Sequence, residues 1–178
     1  QEKLNVTKDQ IIRGYLLYNL NITAYSNEIY KFLGTRFAMY LNNLLPETWQ
    51  KKRQDVVLDM IQKVNPKTIV DLGFGVPERY LKDYVFKNDC KVTLVDFDES
   101  AFSFGEHLLD LWNQSWKGKV SFKNLDLNSQ KYIGDYDCYL FLDSVEHIDN
   151  SSKYLKKTVK KSPPGSRFIL SIPIGPKI

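Results

Sequence analysis

The sequence predicts an α/β protein whose core is a doubly wound, mostly parallel β-sheet, preceded by an N-terminal helical cap. From Lys67 onward, short segments rich in β-branched and aromatic residues alternate with amphipathic segments. Such alternation is typical of parallel strands joined by right-handed crossovers. Before Lys67, apolar residues recur at helical spacing instead. We therefore expect a helical cap or lid at residues 1–64 and an α/β core at residues 65–178.

Three helices are predicted in the N-terminal segment. They span Thr7–Leu20, Ser26–Leu45 and about Glu47–Val64. The first two are rich in tyrosine and phenylalanine, a pattern that suits either a packed core or a lid over a bound molecule. The third carries an apolar stripe that consists of Val56, Val57, Met60, Ile61 and Val64.

Five strands are predicted in the core, because their segments are short and bounded by turn or charged residues. They are Thr68–Leu72, Lys91–Asp96, Val120–Leu125, Asp137–Leu142 and Arg167–Ile172. The segments between them are predicted to be helical or turn-like, near Pro77–Phe86, Ser100–Trp116, Ser129–Tyr132 and Asn150–Lys161.

Composition excludes several classes of protein. The 178 residues, 43% hydrophobic and 26% charged, suit one globular domain. No apolar run approaches the roughly 20 residues of a membrane helix, and no signal peptide is evident, so we expect a cytoplasmic protein without a membrane partner. The net charge of +4 permits an anionic partner such as nucleic acid. The densest lysine cluster, at residues 153–161, equally suits the solvated face of a helix.

The most informative segment follows the first predicted strand. It reads Asp71-Leu72-Gly73-Phe74-Gly75 and leads into a predicted helix. Glycines allow a sharp turn and the close approach of a ligand at the carboxyl end of a parallel strand. A dinucleotide would favour a third glycine where Glu78 stands, and that carboxylate would repel a pyrophosphate. The acid before the glycines favours a cationic ligand.

A second acid lies at the end of the next predicted strand. Asp96 follows the glycine turn at a separation close to the typical one of about 20 residues. An acid at that separation accepts hydrogen bonds from ribose hydroxyls. Together, the strand order, the turn and the acid predict a nucleoside-containing ligand. A purely structural role for these residues is the weaker interpretation.

On these residues, the segment from Lys67 to Gly175 resembles the class I S-adenosylmethionine-dependent methyltransferases. The resemblance implies S-adenosyl-L-methionine as cofactor. Asp71–Gly75 resembles the first motif of that family, whose acid and backbone hold the methionine part, so Asp71, Gly73, Phe74 and Gly75 are predicted to bind the cofactor. Asp96 matches the acid that grips the ribose, and the adjacent Phe97 is assigned to the same site.

The later motifs extend this resemblance. Asn124–Leu127 resembles the third motif, which implies that Asp126 approaches the adenine amino group and that Leu125 or Leu127 packs on its ring. Phe141–His147 resembles the fourth motif, in the Glu-His form common among small-molecule methyltransferases, and places Asp143 in the cofactor site. Pro164–Ser171 resembles the turn and strand that follow.

The sequence also departs from the family pattern. Phe74 and Pro77 stand where small residues are usual, which would narrow the cofactor pocket. The family adds a helix and a β-hairpin after the fifth strand, so the last strands of the fold are expected to be lacking here.

His147, with Glu146 beside it, is the best candidate for a catalytic base, because a histidine with an unperturbed pKa of about 6.5 can accept a proton at physiological pH. In the alternative interpretation His147 caps the following helix or binds a loop. His107 lies within a predicted helix and is expected to be structural. Asp143, Glu146 and His147 resemble part of the metal-binding set of small-RNA ribose methyltransferases, but that family has Glu where Asp143 stands, and no metal is predicted.

The sequence thus predicts a methyltransferase that acts on a small-molecule acceptor. One alternative is an RNA or protein methyltransferase, which the basic charge and the lysines of residues 153–161 favour. The other is a non-catalytic cofactor-binding module of the same fold.

Overall fold

The computed structural model describes Arg36, Met39, Tyr40, Asn43 and residues 49–173. The chain divides into two compact units, residues 1–52 and 53–178. In the first unit, the described residues at 36, 39, 40 and 43 are helical, as expected for the predicted helix Ser26–Leu45. The predicted helix Thr7–Leu20 lies outside the described residues. The lid role of the N-terminal segment stays a prediction.

The second unit contains a five-stranded sheet. Its strands are β1 (Thr68–Leu72), β2 (Lys91–Asp96), β3 (Val120–Asn124), β4 (Cys138–Leu142) and β5 (Arg167–Ser171). Their order is β3-β2-β1-β4-β5, and every neighbouring pair is parallel. The predicted doubly wound parallel sheet is confirmed, and each observed strand end lies within one residue of its predicted position.

Four helices accompany the strands in the described residues from 49 to 173. They are α1 (Trp49–Val64), α2 (Arg79–Asp83), α3 (Glu99–Trp112) and α4 (Ser151–Lys161). Between β3 and β4 the chain forms only a short 3₁₀ turn, Leu127–Ser129. Over the described part of the chain, no helix has the length and apolar character needed to cross a membrane.

The sheet separates two apolar clusters. Alternate side chains of a strand point to opposite faces, so Ile69 of β1 joins one cluster and Val70 joins the other. The first cluster also contains residues of α1, α2 and α3, whereas the second contains Tyr154 of α4. Helices therefore cover both faces, and the central strands β1 and β4 are almost wholly buried.

The second compact unit begins at Arg53, earlier than the predicted start of the α/β core at residue 65. Val57, Leu58 and Ile61 of α1 are buried in the first apolar cluster. This packing joins residues 53–64 to the α/β core, although the sequence pattern had grouped them with the preceding helices.

The segments predicted to be helical or turn-like near Pro77–Phe86 and Ser100–Trp116 each contain one helix, α2 or α3, which is followed by a short 3₁₀ turn. α2 ends at Asp83, and the hydroxyl of the next residue, Tyr84, lies 2.9 Å from Asn65 Oδ1 and 3.0 Å from the Pro66 carbonyl oxygen, so that its one hydrogen is shared between the two acceptors. α3 stops before Asn113, which is extended and accepts a hydrogen bond from the Ser115 amide at 3.0 Å.

Candidate functional site

The candidate site lies at the carboxyl edge of the sheet. The chain passes from β1 outward to β2 and β3 and then returns to β4 on the other side of β1. A crevice forms where the direction of winding reverses, outside the carboxyl ends of the strands. In this fold the reversal lies between the loop after β1 and the loop after β4.

The glycine turn after β1 is tightly packed. Gly73 has φ +76° and Gly75 has φ +58°, conformations that favour glycine. The Gly73 amide donates to the Val95 carbonyl of β2 at 2.8 Å. A Cβ added to Gly73 would lie 2.7 Å from Ser144 Cβ. Gly73 therefore allows the loop after β1 to pack against the loop after β4.

The ring of Phe74 belongs to the core. It is buried, with its centroid 6.0 Å from that of Phe102 and 5.7 Å from that of Phe122. Only the backbone of Phe74 lies in the turn. The ring of Phe74 thus packs against core aromatic residues, and a role of Phe74 in cofactor binding stays a prediction.

Asp96, at the end of β2, holds Gly75, the second glycine of the turn, through a hydrogen bond. Its Oδ2 accepts a hydrogen bond from the Gly75 amide at 3.1 Å, and its Oδ1 accepts from the amides of Phe97 and Asp98 at 2.9 Å and 3.0 Å. A carboxylate offers about four acceptor positions, so these three hydrogen bonds leave one position, on Oδ2. Beside it, the Phe97 ring is 69% exposed.

Asp71 is a buried acid with an unused acceptor atom. Its side chain is 1% exposed, and Oδ2 accepts a hydrogen bond from the Tyr80 hydroxyl at 2.7 Å. Its Oδ1 has no hydrogen-bond partner within the described part of the chain. Burial, helped by the nearby carboxylate of Glu78, raises the pKa of Asp71 to about 7.

A partly buried ion-pair network joins the loops that follow β1 and β4. Arg53 of α1 donates through Nη2 to Glu78 Oε1, and its Nη1 lies 3.3 Å from Asp143 Oδ2. Glu78 is 6% exposed, and its Oε2 has no partner among the residues described. Burial raises the pKa of Glu78 above its ordinary value despite the opposing charge of Arg53. Neither Arg53 nor Glu78 is among the residues that the sequence predicts to form the site.

Asp143 adopts a backbone conformation that is uncommon for a non-glycine residue, with φ +54°. Ser171 at the end of β5 holds it there: the Ser171 hydroxyl donates to Asp143 Oδ1 at 2.7 Å, and the Asp143 amide donates to the Ser171 carbonyl at 3.1 Å. A left-handed aspartate persists only where its surroundings fix it, and such positions cluster at functional sites.

The predicted adenine-contacting residues lie in the loop after β3. Asp126 is exposed, and its Oδ1 accepts a hydrogen bond from the Asn128 amide at 2.8 Å, so it caps the 3₁₀ turn. Leu127 is buried, and its Cδ1 lies 4.0 Å from the Cβ position of Gly73. The fold therefore brings Leu127 to the glycine turn, while the Asp126 carboxylate faces solvent.

The predicted catalytic pair lies on the loop after β4. Glu146 and His147 form part of a 3₁₀ turn, Val145–His147, and both side chains are exposed. Helix α4 has Asn150 as its N-cap residue, with no hydrogen bond from that side chain. His147 therefore does not occupy the capping position that the alternative interpretation gave it. Within residues 49–173 and the four described residues before them, no group of three or more His, Cys, Asp or Glu side chains is placed to hold a metal ion.

No family model matches the chain. Several solved structures resemble it. The methyltransferase domain of bacterial CtHen1 is 20% identical, with a TM-score of 0.55, over 69% of this chain and 65% of that one. Coclaurine N-methyltransferase, solved with N-methylheliamine and SAH, is 20% identical, with a TM-score of 0.54, over 71% of this chain and 37% of that one.

A third similar structure is the [4+2]-cyclase SpnF, 11% identical, with a TM-score of 0.58, over 74% of this chain and 50% of that one. At such identities the likeness shows the fold, which is the Rossmann-like fold of methyltransferases. The chain spans less than two thirds of the length of each of these three proteins.

Proposed function

We propose that this protein is an S-adenosyl-L-methionine-dependent methyltransferase that acts on a small-molecule acceptor in the cytoplasm. The observation that carries the proposal is the pair of buried, unused acceptor atoms, Asp71 Oδ1 and Glu78 Oε2, beside a glycine turn at the reversal of the sheet. Two of the three similar structures are named as methyltransferases, and one of these was solved with SAH. The buried free thiols of Cys90 and Cys138 suit a reducing compartment.

The charges of the residues at the carboxyl edge of the sheet are complementary to those of this cofactor. S-adenosylmethionine carries a sulfonium and an ammonium, and buried carboxylates with unused acceptor atoms favour cationic groups. In the proposed assignment Asp71, with the backbone of Gly73, Phe74 and Gly75, holds the methionine part. The remaining acceptor position of Asp96 receives a ribose hydroxyl.

The same assignment places the base of the nucleoside beside Phe97, whose exposed ring can stack on it. Leu127 lies near the glycine turn and Asp126 faces solvent next to it. Asp143, fixed by Ser171 and Arg53, closes the opposite side of the site.

When bound, the cofactor supplies an activated methyl group on its sulfonium sulfur. The protein contributes position, because methyl transfer requires an acceptor in line with the bond that breaks. We assign His147 as the base whose ring nitrogen receives the acceptor's proton, with Glu146 adjacent. Its exposure at the carboxyl edge supports this role.

A pair of histidine variants tests the assignment of the base. With a methyl acceptor in hand, His147→Gln is expected to lower kcat by about 10²-fold or more, as is usual for loss of general-base catalysis, and to leave the Kd for S-adenosylmethionine unchanged. The control is His107→Gln, because His107 is exposed on α3 and its Nδ1 contacts the Ser103 carbonyl of the same helix. Equal kcat values for the two variants would remove His147 from the mechanism.

An RNA substrate is the second candidate, supported by the surface of α4. This helix contains no acidic residue, and Lys153, Lys156 and Lys160 are exposed along it. Reversing these three charges should weaken RNA binding and reduce its dependence on salt. If RNA binding is absent or independent of salt, an RNA substrate is excluded and the small-molecule acceptor remains the proposal.

A non-catalytic role is the third candidate, supported by the similar structure that is named as a cyclase. One fold can serve several reactions. Cofactor binding without turnover across a broad panel of acceptors would favour this role over the other two.

A further inference from the structure

Arg53 is the one side chain in the described site that contacts both loops flanking the crevice. Its guanidinium contacts Glu78, which directly precedes α2, and Asp143, which directly follows β4. Its Nη1 also lies 3.5 Å from Ser171 Oγ, at the end of β5. A residue of α1 thus connects three loops and strand ends at the carboxyl edge.

The geometry of this contact matches the chemistry of arginine. A guanidinium is planar and carries five N–H donors in a fixed fork, so it can donate to two carboxylates at once. Arg53 and Glu78 are both largely buried, which weakens screening of the pair by solvent. A lysine at position 53 would supply one compact charge and could not hold both acids in the same arrangement.

The bridged residues bear directly on the proposed site. Glu78 lies three residues after Gly75, and its Oε2 is a buried acceptor atom without a partner among the described residues. Asp143 is the left-handed aspartate, and the adjacent Ser144 packs against Gly73. Movement of either acid would therefore disturb the contact between the two loops.

We propose that Arg53 is a positioning residue, an inference that rests on the proposed function. By bridging Glu78 and Asp143, Arg53 fixes the spacing of the two loops. Cofactor affinity then depends on that bridge more than on the positive charge of Arg53. Arg53 itself does not contact the cofactor in this proposal.

Three variants distinguish a bridging role of the Arg53 guanidinium from an effect of its positive charge alone. Calorimetric titration of S-adenosylmethionine and SAH into the full chain is expected to give at least tenfold weaker binding of both ligands for Arg53→Met, and nearly the same loss for Arg53→Lys. If only the charge mattered, Arg53→Lys would bind like the wild type, and Arg53→Met would favour the cationic ligand over the neutral SAH. The matched control is Arg79→Met, because Arg79 bridges Asp55 and Asp83 at 2.5 Å each on the surface; its affinities should stay within twofold of the wild type.

Hydrogen exchange distinguishes positioning from a general loss of stability. In Arg53→Met without ligand, amide protection should fall in residues 73–78 and 143–147 and stay unchanged in α3 and β3. Should Arg53→Met fail to fold, the double variant Arg53→Met/Glu78→Gln removes the unpaired charge and should show the same loss of affinity.

Wild-type affinity in Arg53→Met or in the double variant would overturn the proposal, as would a uniform fall in protection. Absence of S-adenosylmethionine binding to the wild type would instead contradict the proposed function, and the exchange experiment on the ligand-free protein would still test the bridge.

Discussion

At the scale of single residues, buried polar groups are the main evidence for a ligand at the carboxyl edge of the sheet. Asp71 lies almost without exposure beneath the glycine turn, where only the Tyr80 hydroxyl and the distant charge of Arg53 stabilise its ionised form. A core built for stability alone would not place a half-paired carboxyl there. The arrangement makes physical sense if a positively charged group binds nearby.

The pH dependence of stability tests the environment of Asp71. Burial raises its pKa in the folded state from 3.8 to about 7. Because the folded state holds the proton more tightly than the unfolded state, stability falls as the pH rises between these two values. Asp71→Asn removes the titration, so its stability relative to the wild type should be higher by at least about 1 kcal/mol near pH 8 than near pH 4. Urea unfolding at both pH values measures this difference, and an unchanged difference would contradict the assignment.

Gly73 provides a second test at the residue scale. An added methyl group would meet Ser144 Cβ at 2.7 Å, in a left-handed conformation that costs other residues about 1–2 kcal/mol. Gly73→Ala should therefore destabilise the protein by about 2 kcal/mol or more. Gly118→Ala is the control, since an added Cβ there meets nothing within 4 Å. Equal urea midpoints for the two variants would show that the loops are not packed as described.

At the scale of elements, the strands could be predicted and parts of the helices could not. Central parallel strands are buried on both faces, so their sequences are continuous apolar runs with visible ends. The stripe predicted for α1 was broader than the observed contact. Val57 and Ile61 are buried, but Val56 is 54% exposed, because neighbouring helical residues point about 100° apart.

This difference between neighbouring valines predicts the result of a matched pair of substitutions. Val57→Ala should lower the free energy of unfolding by about 2 kcal/mol, since Val57 is 3% exposed in the first apolar cluster. Val56→Ala, one position earlier on the same helix, should change it by less than about 0.5 kcal/mol. Chemical denaturation of both variants measures the two values. A larger effect at Val56 would mean that α1 packs through a different face.

The candidate site was predictable where its residues adjoin a strand in the sequence. Asp71, the glycines and Asp96 each end or follow an apolar run, so their convergence at one edge follows from parallel pairing. Arg53 gave no such signal, because it lies in a polar stretch of α1 and meets its partners only through tertiary packing. The core position of the Phe74 ring likewise depends on Phe102 and Phe122, which are distant in the sequence.

At the scale of the whole molecule, the two edges of the sheet differ in chemistry. The carboxyl edge carries the buried acids, the glycine turn and the exposed Phe97. Near the amino ends of β1, β2 and β3 lies an open groove of about 370 Å³, lined in part by Lys91, Lys117 and Ser121. A cationic nucleoside ligand is expected at the acidic carboxyl edge, and an anionic ligand would favour the lysine-lined groove.

A nuclear magnetic resonance titration of the full chain with S-adenosylmethionine and with SAH tests directly whether the cofactor binds at the carboxyl edge of the sheet. Binding there should produce saturable changes in backbone amide shifts at residues 71–78, 96–98, 125–127 and 143–147, with little change near Lys91 and Ser121. Absence of saturable shifts, or shifts confined to the groove at the amino ends of the strands, would contradict binding at the carboxyl edge.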